Sequence, residues 1–141
     1  MSKIAIVFWS MTGNTEKMAH RIADGVKEAG GEAVLMGPDG FSPASWEEYS
    51  AAAFGCPAMG AEVLEESEFE PMFAALEPTL AGKKIALFGS YGWGDGQWMR
   101  DWCARCAAAD LLDPDGMTAN YEPDELCLTA CFELGKELAS C

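Results

Sequence analysis

The segment Trp9-Ser10-Met11-Thr12-Gly13-Asn14-Thr15 puts four side chains that donate through a hydroxyl or an amide, Ser10, Thr12, Asn14 and Thr15, within six positions, and no positive charge among them. It follows the apolar run 4–9 and precedes a stretch in which Met18, Ile22 and Val26 recur at helical spacing. A loop in that position ends at a helix N-terminus, where unpaired backbone N–H groups and the positive end of the helix dipole favour an anion. Gly13 lets the backbone fold around the ligand. A phosphate held in such a nest requires no Lys or Arg. A triphosphate loop and a dinucleotide fingerprint are both excluded, because the lysine of the one and the three glycines of the other are missing.

Two later loops complement the first. In GSYGWGDG, Tyr91 and Trp93 stand between Gly89, Gly92 and Gly94 after an apolar strand, a placement suited to covering a flat ligand. In GCPAMGAE, the polarisable Met59 follows Pro57 and Ala58, and Gly60 and Ala61 lead to Glu62, a carboxylate able to accept from a ring N–H. Together the three loops describe a pocket for a planar, uncharged heterocycle on a phosphorylated tail.

The elements around these loops must bring them together. After the first strand and its helix, EAVLM reads as a second strand and AAAFGC as a third. Residues 37–49 form a Gly/Pro/Ser-rich connection with a short helix at Trp46, and a helix carries Phe69, Met72, Leu76 and Leu80. KIALFGS is a fourth strand, 96–109 a helix with Trp98, Trp102 and Arg105 on one face, DLLDPDGMTANY a broken fifth strand, and Pro123 opens a last helix. Apolar strands alternating with helices imply an α/β fold with three layers, a parallel sheet covered on both faces. In such sheets ligands bind beyond the carboxyl ends of the strands, where the three loops lie.

At these residues the sequence resembles the flavodoxins, specifically the short-chain type of anaerobic bacteria, over nearly the whole chain. SMTGNT matches the family's phosphate loop, GCPAMGAE its first flavin loop and GSYGWG its second. The resemblance implies a five-stranded parallel sheet in the order 2-1-3-4-5, of which flavodoxin is a type example, and residues 1–141 as a single FMN-binding domain. It implies that Ser10, Met11, Thr12, Gly13, Asn14 and Thr15 enclose the FMN phosphate, that Met59 and Trp93 cover the two faces of the isoalloxazine, and that Glu62 accepts the flavin N3–H. Ser90, Tyr91, Gly92, Trp93 and Gly94 form the second flavin loop, in which Gly92 and Trp93 donate backbone N–H to the pyrimidine oxygens. Pro57, Ala58, Met59, Gly60, Ala61 and Glu62 form the first, with Gly60 carrying the peptide that turns toward flavin N5–H on reduction, and Asn120 belongs to a fourth contact loop. Pro57 replaces a hydroxyl residue of some relatives, and Ala61 a small polar one. The function implied is a low-potential one-electron carrier working between the semiquinone and hydroquinone of FMN. The alternative on the same fold is an FMN-dependent quinone or azo reductase, which needs a substrate cavity that these short loops do not build.

The remaining residues bear on rival chemistries. Cys56 has no arginine at phosphatase spacing, and the first strand ends in Phe-Trp-Ser without the acidic pair of a receiver domain. His20, the only histidine, falls on the helix face opposite Met18 and Ile22. Cys103 and Cys106, like Cys127 and Cys131, have spacings that raise a zinc site, but each pair sits in a helical stretch where such spacing is that of a buried stripe. The formal net charge of −14 argues against nucleic acid and anionic membranes. Acids crowd at Glu62, Glu65, Glu66, Glu68 and Glu70, at Asp95 and Asp101, and at Glu122, Asp124 and Glu125. These clusters would disfavour added negative charge on the ring and orient it toward redox enzymes with basic docking surfaces. Without a bilayer-length apolar run or a secretory pattern, the expectation is a monomer in the cytoplasm.

Overall fold

The computed structural model describes residues 2–11, 13–59, 63–92 and 94–141. Six strands form one sheet: β1 (Lys3–Phe8), β2 (Glu32–Met36), β3 (Ala51–Gly55), β4 (Lys84–Tyr91), β5 (Asp110–Leu111) and β6 (Met117–Asn120). The order is β2-β1-β3-β4-β5, with β6 also pairing β4, and every pairing is parallel. The broken fifth strand is thus two short segments on the same neighbour: Lys84 and Ile85 align with Asp110 and Leu111, and Phe88 to Tyr91 with Met117 to Asn120. The DPDG turn leaves the sheet between them and returns in time to carry Asn120 alongside Tyr91.

Four helices cover the sheet: α1 (Asn14–Glu28), α2 (Phe69–Leu76), α3 (Gln97–Arg105) and α4 (Glu125–Ala139). Strand side chains alternate between the two faces, so each strand contributes to both cores. Ile4 and Ile6, Ala51 and Ala53, and Ala86 and Phe88 pack with Met18, Ile22 and Val26 of α1 and Cys131, Leu134 and Leu138 of α4. Val7, Phe54, Ile85 and Leu87 face the other way, onto Phe69, Phe73 and Leu76 of α2 and Trp98, Met99 and Trp102 of α3. That second layer is aromatic, with Phe73 edge-on to both Phe54 and Trp102 at centroid distances of 5.4 and 5.5 Å. Residues 43–47 form a 3-10 turn that seats Trp46 against Phe41 and Phe54.

The helix read at Phe69 turns 3-10 at Glu77–Thr79, where Pro78 interrupts it, and its buried inner face is Phe69, Phe73 and Leu76, with Met72 only half-buried. The six cysteines are free thiols: Cys56, Cys106 and Cys131 are buried, and Cys103, Cys127 and Cys141 are half-buried. Burial pushes Cys56 and Cys106 up to about 12, so neither is a thiolate at neutral pH.

Candidate functional site

The carboxyl ends of β1, β3 and β4 meet at one end of the sheet and define the site. α1 begins immediately after its loop with Gly13 as N-cap, at φ 93°, a left-handed backbone that a Cβ would strain although nothing lies within 4 Å of one. Gly13 has no side chain to cap the helix, and the Glu16 N–H instead donates to Ser10 Oγ at 3.3 Å. A helix N-terminus at this point offers backbone N–H groups of the kind an anion site uses. Thr15 points inward: its side chain is 1% exposed, and Oγ1 lies 3.3 Å from Ser90 Oγ on β4 and accepts from the Ser90 N–H at 3.4 Å. Thr15 therefore joins the helix end to β4.

The loop after β3 is fastened in the same manner. Ala58 N–H donates to Ser90 O at 3.0 Å, Cys56 N–H to Phe88 O at 3.1 Å, and the Trp98 indole N–H of α3 to Cys56 O at 3.1 Å. Met59 and Val63 exchange both backbone hydrogen bonds as an antiparallel bridge, at 2.8 and 3.1 Å. Ser90 is consequently the junction of three segments: its hydroxyl and N–H meet Thr15, and its carbonyl meets Ala58.

Between these segments lies a cavity of about 200 Å³ lined by Met11, Asn14, Pro57, Ala58, Met59, Ser90, Tyr91, Gly92 and Tyr121. Eight of those nine belong to the three loops read from the sequence; Tyr121 does not. Ser10, Gly13 and Thr15 stand beside it at the α1 N-terminus, and Gly94 is half-buried further along its loop. Thr12, Gly60, Ala61, Glu62 and Trp93 lie outside the described residues.

Asn120 and Tyr91 make contacts within the protein itself. Asn120 is not among the lining residues; its exposed amide donates to the Gly92 and Tyr91 carbonyls at 3.0 and 3.4 Å, so it ties the end of β6 to the loop after β4. Tyr91 lines the cavity but also leans on Trp98, with centroids 5.5 Å apart at 45°, and is half-buried rather than a free platform. Tyr121 lies outside the three loops, one residue beyond the end of β6. The usable signal was an aromatic residue following Asn120 at the carboxyl end of the sheet, where ligands gather.

Several of the clustered acids hold the structure together. Glu65 is 7% exposed and accepts from the Ser67 hydroxyl and the N–H groups of Ser67, Glu68 and Phe69, at 2.9, 2.8 and 2.9 Å for the three backbone donors, closing the start of α2. Burial raises its pKa, but these four donors outweigh it and hold the carboxyl down to about 2. Glu70 forms a bidentate pair with Arg105 at 2.7 and 2.8 Å, Asp95 pairs with Arg100 at 3.2 Å, and Asp124 caps α4 by accepting from the Cys127 N–H at 2.8 Å. Glu66, Glu68 and Glu125 are exposed. His20 is on the surface of α1, 3.5 Å from Glu16.

Comparison with known proteins agrees with this geometry. A family model described as Flavodoxin matches residues 6–133. The flavodoxin of Clostridium beijerinckii is 44% identical over 136 residues, covering 96% of this chain and 98% of that protein, and the flavodoxin of Megasphaera elsdenii is 41% identical with the same coverage. The solution structure of the two-electron reduced Megasphaera elsdenii flavodoxin superposes with a TM-score of 0.86 at 42% identity, over 98% of this chain and 99% of that one. With the sheet order, the loop cluster and near full-length similarity in agreement, the chain belongs to the flavodoxin family.

Proposed function

We propose that residues 1–141 act as one FMN-binding domain that carries single electrons at low potential between redox enzymes, as an electron carrier rather than an enzyme. Bound FMN supplies the redox chemistry, accepting and returning one electron at a time. The observation that carries this reading is the opening of the α1 N-terminus, with left-handed Gly13 as its N-cap, onto a cavity walled by Met11, Pro57, Ala58, Met59 and Tyr91. That is an anion site beside an apolar slot, the two halves of a flavin phosphate.

Residues 10–15 hold the phosphate through neutral donors. Met59 and Trp93 cover the ring, Glu62 accepts its N3–H, and the Gly92 N–H is held for a pyrimidine oxygen. Gly60, without a side chain, leaves its peptide free to turn its carbonyl toward a protonated N5. Apolar walls and a chain of net charge −14 make additional negative charge on the ring costly, which lowers the potential of the second electron. Exposed acids such as Glu66 and Glu68 favour redox partners with basic docking faces, met by a monomer in the cytoplasm. No helix among the described residues is long and apolar enough to cross a membrane.

The test is calorimetry of the apoprotein with FMN and with riboflavin. Loss of even two charge-assisted hydrogen bonds, each about 1.5–3 kcal/mol, weakens riboflavin by at least about 100-fold. Equal affinities would remove residues 10–15 from this role.

A further inference from the structure

Tyr121 is the one non-glycine residue with positive φ among the described residues, at 60°. A left-handed backbone is common for glycine and tolerated by asparagine, but it is an outlier for a bulky aromatic residue. The strain is fixed by the surroundings. The Tyr121 N–H donates to Tyr91 O at 2.6 Å, and the side chain of the preceding Asn120 donates to the Gly92 carbonyl. The chain turns out of β6 at this point, before Pro123 and the Asp124 cap of α4.

This conformation seats the ring at the mouth of the cavity. Tyr121 is 60% exposed, yet its ring lies against the Gly92 backbone closely enough that a Cβ on Gly92 would meet the ring at 3.3 Å. The ring and Asn120 thus clasp one short piece of chain. Because the Tyr91–Gly92 peptide is planar and trans, turning its carbonyl toward Tyr121 directs the Gly92 N–H the opposite way. A residue whose only function was to end the strand would sit in this backbone more comfortably as Gly or Asn.

We infer that Tyr121 is a cofactor-site residue of this flavodoxin: its ring is an outer wall for the isoalloxazine edge, and its backbone fixes the Gly92 peptide that faces the ring. The inference rests on the FMN-binding reading above. The left-handed strain of the protein alone is the counterpart of tighter hold on the flavin. Removing the ring must therefore move the stability of the apoprotein and its affinity for FMN in opposite directions.

The experiment uses full-length Tyr121→Gly, Tyr121→Asn and Tyr121→Phe, each measured for urea unfolding of the apoprotein and for FMN affinity by flavin fluorescence titration. The Gly and Asn variants are expected to unfold at higher urea than the parent and to bind FMN about 5- to 10-fold more weakly. Tyr121→Phe, which keeps the ring and the strain, is expected to match the parent in both within about twofold. Gly and Asn variants that bind FMN as tightly as the parent would overturn the inference. So would a loss of apoprotein stability parallel to the loss of affinity, which would make the ring a structural wedge. Failure of the unmodified chain to bind FMN would instead overturn the functional reading on which the inference stands.

Discussion

Glu65 shows how a residue's partners can reverse what its type suggests. Counted in the sequence it belongs to an acidic face; in the fold it closes the first turn of α2 with four donors. Because its folded pKa of about 2 lies below the ordinary carboxylate value of 4.5, the stabilisation is fully present above about pH 4.5 and is lost as pH falls toward 2. Glu65→Gln is expected to cost about 2 kcal/mol at pH 7, with the parent and variant urea midpoints converging as pH approaches 2. A pH-independent difference would show that packing, rather than the charge, is what the residue contributes. The buried Thr15–Ser90 pair makes the same point: two small hydroxyl residues far apart in sequence are one joint in the fold.

Among the elements, α1 and α4 pack against each other at close range. A Cβ on Gly25 would fall 1.9 Å from the Phe132 carbonyl oxygen, and one on Gly135 would fall 2.0 Å from that of Ile22. The two helices therefore touch backbone to backbone, each through a glycine, and nothing at the contact can move aside as a flexible side chain would. Gly135→Ala is expected to lower stability by about 2 kcal/mol despite alanine's better helix propensity, measured by urea unfolding. Since α1 carries the proposed phosphate loop at its N-terminus, a shift of that helix should also weaken FMN binding. Unchanged unfolding would mean that the helices part without cost. On the opposite face, Arg105 ties α3 to α2 through Glu70 and through Glu77 at 2.8 and 3.0 Å, with its guanidinium 5.3 Å from the Phe73 ring centroid. This braces α3, whose Trp98 supports both Tyr91 and Cys56.

At the scale of the molecule, the net charge of −14 divides into two populations. Glu65, Glu70, Asp95 and Asp124 are occupied by hydrogen bonds or ion pairs within the chain, whereas Glu66, Glu68 and Glu125 stand exposed. Neutralising those three to Gln is expected to slow electron exchange with a basic redox protein by about 2- to 10-fold at low salt, with the difference vanishing as ionic strength rises. Stopped-flow rates that ignore both the substitutions and the salt would leave the acids as solvation only. The potential of the bound flavin should move little, because each charge acts through a wet surface.

The layer order and the family were legible in the sequence because they depend on local signals: apolar runs of strand length, helical spacing at Met18, Ile22 and Val26, and loops whose donors and glycines are contiguous. Eight of the nine cavity-lining residues lie in those loops for that reason. What required the tertiary structure were contacts between residues distant in the chain. Pairing both halves of the broken strand with β4 put Asn120 behind Gly92 rather than in the cavity and brought Tyr121 to its mouth. The spacing of Glu65 from its donors is short, but its burial depends on how α2 seats on the sheet. Sequence records which groups are available; only the packed fold decides which are already satisfied and which remain free to meet a ligand.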